Sequence, residues 1–105
     1  MQINVQTLKG SLSDSTKDKI VAKIVKLARF VDRVAGIEAI VNCETQDVFR
    51  VEVVVTTELK KDFRADYSSG DLLGCVDQAV EKIEQQMRKF KEKLTEHHAK
   101  DARKG

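Results

Sequence analysis

The side chains with the clearest chemical potential are cations at helical spacing, with one amide among them. Lys23, Lys26, Arg29 and Arg33 fall in the first third of the chain, and Lys82, Gln86, Arg88, Lys89, Lys91 and Lys93 fall near its end. At about 100° per residue, Lys82, Gln86, Lys89 and Lys93 share one flank of a helix, while Asp77, Glu81, Glu84 and Glu92 lie mainly on the other. Lys19, Lys23, Lys26, Arg29 and Arg33 make a second band. Ammonium and guanidinium groups held in a row on a rigid element pair with phosphates, and displaced counterions supply the affinity without a cofactor. Structured RNA offers phosphates and 2′-hydroxyls in a shape that such a row can match.

The charge distribution is uneven. Net charge over the 105 residues is only +2. Residues 17–34 nevertheless carry +4, residues 86–105 carry +4 and the remainder −6. Segregated charge steers a polyanion even when the sum is small. Solvated helix faces would carry the same charges, so the distribution leaves both readings open.

Catalytic chemistry finds little support. His97 and His98 are adjacent near a terminus expected to fray, and neither has a serine or cysteine at a catalytic spacing. The glycines are scattered and form no phosphate-binding loop. Asp77, Glu81 and Glu84 share a helical side but read as a solvated face. Cys43 and Cys75 match no metal or redox spacing and read as reduced, mostly buried residues of a cytoplasmic protein. The expectation is therefore no enzyme, no cofactor, no metal site and no small-molecule substrate. No apolar run approaches a membrane span, and the N-terminus has no secretory pattern.

Several elements must position the cations. Residues 2–8 alternate as a half-buried strand, with Ile3, Val5 and Thr7 on one side. Ser13 is placed as an N-cap. Ile20, Ile24, Leu27, Val31 and Val34 step by three and four, predicting one helix over 14–34 that ends at a Gly36 C-cap. Phe30 lies within its basic band, either at the edge of the core or as a stacking surface. Residues 37–45 and 48–57 read as strands, the second with Phe49, Val51, Val53 and Val55 on one face. A charged turn at 58–61 leads to a fourth strand, in which Phe63, Ala65 and Tyr67 alternate with Asp62, Arg64 and Asp66. A second helix follows over 69–98, with Leu72, Val76, Ala79, Val80, Ile83, Met87, Phe90 and Leu94 as its apolar stripe. The order β-α-β-β-β-α, with short turns in the second half, predicts an α+β two-layer sandwich. Its four-stranded sheet carries both helices on one face, and its last three strands form an antiparallel meander. Residues 1–98 form one domain and 99–105 a flexible basic tail. If the helices lie side by side, their basic bands join into one cationic surface.

Two stretches then resemble a known family. Asp71-Leu72-Leu73-Gly74-Cys75-Val76-Asp77, with the run from Glu81 through Lys82-Ile83-Glu84-Gln85-Gln86-Met87-Arg88-Lys89 to Leu94, is similar to the ribosome hibernation promoting factor and ribosome-associated inhibitor (factor Y) family. That family's pattern there is Asp-Met-Tyr-x-Ala-Ile-Asp, then Lys-Leu-Glu-Arg-Gln-Leu-x-Lys. In the first helix, Lys26-Leu27-Ala28-Arg29-Phe30-Val31-Asp32-Arg33-Val34 resembles its Lys-Leu-x-x-Tyr-Phe-Asp-Arg-Ile. Leu73 stands in place of the usual Tyr, Gln85 in place of a frequent Arg, and Arg64 in place of a common His. The resemblance implies the same β-α-β-β-β-α fold and a short form without the long form's C-terminal dimerisation domain. It also implies a translation inhibitor that sits in the mRNA and tRNA channel of the small ribosomal subunit during stationary phase or stress. The ten side chains that open this section would then contact ribosomal RNA. The basic tail favours the hibernation-promoting subtype, in which silenced ribosomes pair with help from another factor. The competing expectation is a protein-interaction module that uses its basic helix faces or an exposed sheet edge.

Overall fold

A computed structural model describes residues 1–30, 33–43, 45–58 and 61–104, with the backbone alone over 92–104. Its elements are β1 (Gln2–Lys9), α1 (Asp14–Ile24), a 3-10 segment (Val25–Arg29), β2 (Val34–Cys43), β3 (Phe49–Thr57), β4 (Asp62–Ser69) and α2 (Leu72–Lys104). The strands form one sheet in the order β1-β2-β3-β4. β1 runs parallel to β2 through the α1 crossover, and the other two pairs are antiparallel. This is the α+β sandwich that the periodicities predict.

Alternation in the strands decides which way everything faces. Ile37, Ala39 and Val41 of β2, Val51, Val53 and Val55 of β3, and Phe63 of β4 are buried on one side. Their neighbours in sequence point to the other side. Ile20, Ile24 and Leu27, with Cys75, Val76, Ala79, Val80, Ile83 and Met87 of α2, close over the buried side in one core. Each large side chain withdrawn from water contributes about 1.5–3 kcal/mol. Both helices lie on that face, α1 toward β1 and β2, α2 over β3 and β4. Phe90 still packs against the core, and its ring meets Phe63 edge-on at 5.7 Å between centroids.

Both helix starts use a local serine hydroxyl. Ser13 is the N-cap of α1, its Oγ accepting from the Thr16 N–H at 3.1 Å. At α2 the Asp71 carbonyl accepts the first helical bond from Cys75 N–H at 2.9 Å. The Asp71 N–H in turn donates to Ser69 Oγ at 3.1 Å. The helix then continues to Lys104, so the backbone is helical through 99–104, where a polar tail is expected. The Leu94 side chain lies outside the described residues.

The first helix differs from expectation. Its stripe predicts one helix to Val34, but the α-helix ends at Ile24 and tightens into a 3-10 segment. Ile24, Leu27 and Phe30 are spaced by three, and three residues per turn stack such positions on one edge. Val34 is not helical; it opens β2 opposite Thr57. Gly36 is not a C-cap but a strand residue between Gln2 and Thr56. The reversal falls instead on Arg33, at φ 61°, whose carbonyl accepts from Glu58 N–H at 2.9 Å. Val31 lies outside the described residues.

The outer edge of β4 is closed by side chains rather than by a strand. Lys82 Nζ donates to the Asp66 carbonyl at 2.9 Å, and Gln86 Nε2 to the Arg64 carbonyl at 2.7 Å. Filling outward carbonyls in this way blocks strand addition at that edge.

Two stability outcomes follow, both readable as urea midpoints. A β-branched residue resists the left-handed conformation, so Arg33→Val is expected to be less stable than Arg33→Gly by about 1–2 kcal/mol. Gln86→Ala removes a hydrogen bond to backbone and is expected to cost about 0.5–1 kcal/mol, whereas Lys89→Ala, at an exposed position, is expected to stay within about 0.5 kcal/mol of the parent.

Candidate nucleic-acid interface

The helix layer carries the cations, but its charges are interleaved. Lys23 is not a free cation: its Nζ sits 2.7 Å from Asp77 Oδ1, and its side chain is 28% exposed. That pair ties α1 to α2, although at such exposure it contributes no more than about 1 kcal/mol. Beyond it lies a groove between the helices of about 350 Å³, lined by Lys26, Asp77, Glu81, Glu84, Gln85 and Arg88 among others. The acidic flank of α2 therefore faces helix one. Its basic flank, with Lys82, Gln86 and Lys89, turns the other way, toward β4.

This arrangement corrects the expectation of one continuous cationic surface. The bands are split by carboxylates, because unlike charges pair where the helices meet. Arg88 is the cation that α2 supplies to the groove. Its guanidinium lies over the Phe30 ring at 5.8 Å, within cation–π range. Phe30 itself is half-buried against the core, which fits the core-edge reading, with a cation from the other helix on its face. Arg29 ends the 3-10 segment and is exposed. Arg33 is exposed too, but on the reversal after that segment rather than in a helical band.

On the β4 side a second cationic ridge forms. Lys89, Gln86 and Lys61 rim a groove of about 260 Å³ whose floor is Phe63 and Phe90. Lys61 Nζ is 5.6 Å from the Phe63 ring centroid. Lys82 Nζ is 5.3 Å from that of Tyr67, which is 37% exposed. Lys61 and Tyr67 escape a reading by periodicity. Lys61 sits in a turn with no repeat, and Tyr67 appears as one more inward residue of its strand. Lys82 and Gln86 serve two ends, since their polar atoms already hold the β4 carbonyls. Lys89 makes no hydrogen bond or ion pair among the described residues. Lys89 and Lys91 are both exposed. The side chains of Lys93, His97 and His98 lie outside the described residues.

The remaining chemistry is sparse. Cys75 is buried, with its Sγ 3.1 Å from Ser69 Oγ, and Cys43 is half-buried; both are free thiols. Among the described residues no three His, Cys, Asp or Glu side chains converge on a metal-sized site. No helix of the described residues is long and apolar enough to cross a membrane.

The opposite face of the sheet has a different character. Among the described residues it presents Glu38, Glu52, Asp62 and Asp66 against Arg50, Arg64 and Lys9, which a bulge brings level with Asn42. Arg50 pairs with Asp66 at 2.6 Å, and Arg64 approaches Glu52 at 4.0 Å. Cations thus gather on the helix layer while the open sheet face is net negative.

Comparison with known proteins agrees with this architecture. The Thermus thermophilus Protein Y N-terminal domain superposes with a TM-score of 0.73 at 22% identity, covering 86% of this chain and 99% of that one. A ribosomal subunit interface protein from Coxiella burnetii gives 0.74 at 22% identity, covering 87% and 98%. These likenesses concern the fold. Residues 3–95 match the family model described as Sigma 54 modulation protein / S30EA ribosomal protein. That span runs from the first strand into the last helix, and the chain therefore belongs to this family of ribosome-associated hibernation factors.

Proposed function

We propose that this protein is a non-enzymatic translation inhibitor of the cytoplasm. It binds the small ribosomal subunit in the channel used by mRNA and tRNA, during stationary phase or stress. Its helix layer meets ribosomal RNA, and its sheet face points away from the phosphates. The observation that carries the reading is the division of charge between the two layers in a member of a ribosome-associated family. A phosphate-rich wall attracts the first layer and repels the second, so the same field that gives affinity also gives orientation.

Within the helix layer the cations divide the work. Arg29, Lys89 and Lys91, exposed and with Lys93 along the same helix, are the primary phosphate contacts. Lys26 and Arg88 bind from the rim of the inter-helix groove, where Glu81 and Glu84 keep phosphates from its floor. Arg33 reaches out from the reversal. Lys23, Lys82 and Gln86 chiefly hold the scaffold on which the others stand. Gln85, where the resembled family often has Arg, leaves the groove one cation weaker. In the hibernation-promoting role proposed here, silenced ribosomes pair with help from a second factor.

Cosedimentation with purified small subunits across a salt series tests this. Each phosphate neutralised contributes a slope of about −0.7 to −0.9 in log K against log salt. The wild type is expected to bind at low salt and to release steeply as salt rises. Arg29→Glu with Lys89→Glu is expected to weaken binding at least about tenfold and to flatten that slope by about two phosphate equivalents, with the unfolding midpoint unchanged. Absence of binding at low salt, or binding indifferent to salt, overturns the proposal.

A further inference from the structure

The open face of the sheet holds a hollow that RNA binding does not use. Across its rows the register sets Gln2, Gly36 and Thr56 side by side, then Asn4, Glu38 and Val54. Gly36 has no side chain, so an open depression of about 180 Å³ remains over it, lined by these residues. A Cβ at Gly36 would meet only the Gln2 carbonyl oxygen, at 3.4 Å. Glu38 is half-buried at this depression and makes no ion pair or hydrogen bond among the described residues. The other carboxylates of the face differ. Asp66 and Glu52 are engaged by Arg50 and Arg64, and Asp62 is exposed near the far edge.

We propose that this face is a docking surface for a basic protein segment, one of whose lysine or arginine side chains seats against Glu38 in the hollow over Gly36. The chemistry of the lining fits such a guest. The Glu38 carboxylate meets the cationic head. The amide oxygens of Gln2 and Asn4 and the hydroxyl of Thr56 accept its remaining N–H groups. Val54 provides an apolar wall for the methylene stem. Charge at the hollow selects the partner class: Arg50 and Arg64 are directed at Asp66 and Glu52, and Lys9 lies at the other end of β1 from Gln2, so the unpaired Glu38 carboxylate is left to attract a basic side chain and repel a phosphate. The inference does not rest on the ribosome reading: a basic protein tail on any partner satisfies the site. On a ribosome the two surfaces would act together, one on RNA and one on protein, without competing.

The test uses the full chain, isotope-labelled, titrated with an alternating Arg-Gly decapeptide and with a Glu-Gly decapeptide as control, followed by amide NMR. The Arg-Gly peptide is expected to shift Gly36, Glu38, Val54 and Thr56, and the control is not. Glu38→Gln, which keeps size and strand geometry, is expected to weaken the peptide about three- to tenfold. Gly36→Val, which fills the hollow and leaves the charge, is expected to do the same. Neither substitution is expected to change binding of the small subunit, and Lys89→Glu is expected to leave peptide binding intact. Shifts centred on Asp77, Glu81 and Glu84 in the inter-helix groove overturn the proposal. Peptide affinity indifferent to Glu38→Gln, or shifts of the same residues by the acidic control, overturns it equally. Loss of small-subunit binding with peptide binding retained would count against the ribosome reading alone.

Discussion

Everything in this molecule depends on one sheet face being buried and the other left open. Strand alternation commits the apolar residues of β2, β3 and β4 to a single side. Two helices are needed to cover that side, and their stripes match it. The outer surfaces are then left with all the charge and are free to diverge. They do so: helices outward carry most of the cations, strands outward carry more carboxylates than guanidiniums. A one-residue slip in β3 would move Val51, Val53 and Val55 into solvent and invert the scheme. Register, more than any single contact, is what separates the two outer surfaces.

The second organising feature is the orientation of α2 about its axis. The buried stripe from Cys75 to Met87 fixes which flank meets helix one and which meets β4. The acids go inward to the seam, where Asp77 takes Lys23. Lys82 and Lys89 go outward to β4, where Lys82 and the Gln86 amide close the strand edge, while Arg88 stays at the seam. The cost is a divided cationic surface in which some candidate contacts are occupied with structure. The gain is a closed β4 edge and a rigid base under Lys89.

Much of the fold is written in the residues themselves. Strict alternation in β3 and the three-four steps of α2 identify both elements unaided, and their apolar sides predict the layering. The end of helix one is not legible in the same way. Val31 and Val34 continue a helical spacing regardless of what the backbone does, and a left-handed Arg33 has no sequence signature such as a glycine would give. Gly36 misleads because glycine also serves a strand, here by leaving a hollow. At the site, the residue types are legible and their company is not. Which flank of α2 faces helix one is a tertiary fact, although the acids opposite the Lys23 band carry a signal of charge matching. Lys61 lies in a turn and joins Lys89 only through the pairing of β4 with α2. Glu38 looks like any solvated strand residue until Gly36 and Val54 are beside it.

The central claim is that the helix layer, not the sheet face, meets ribosomal RNA. Site-directed photocrosslinking on small subunits tests this most directly, with the probe placed at position 29 or 89 on the helix layer and at 38 or 54 on the sheet. The account predicts RNA crosslinks from 29 and 89 and none from 38 and 54. RNA crosslinks from the sheet positions, with none from the helix positions, would contradict it.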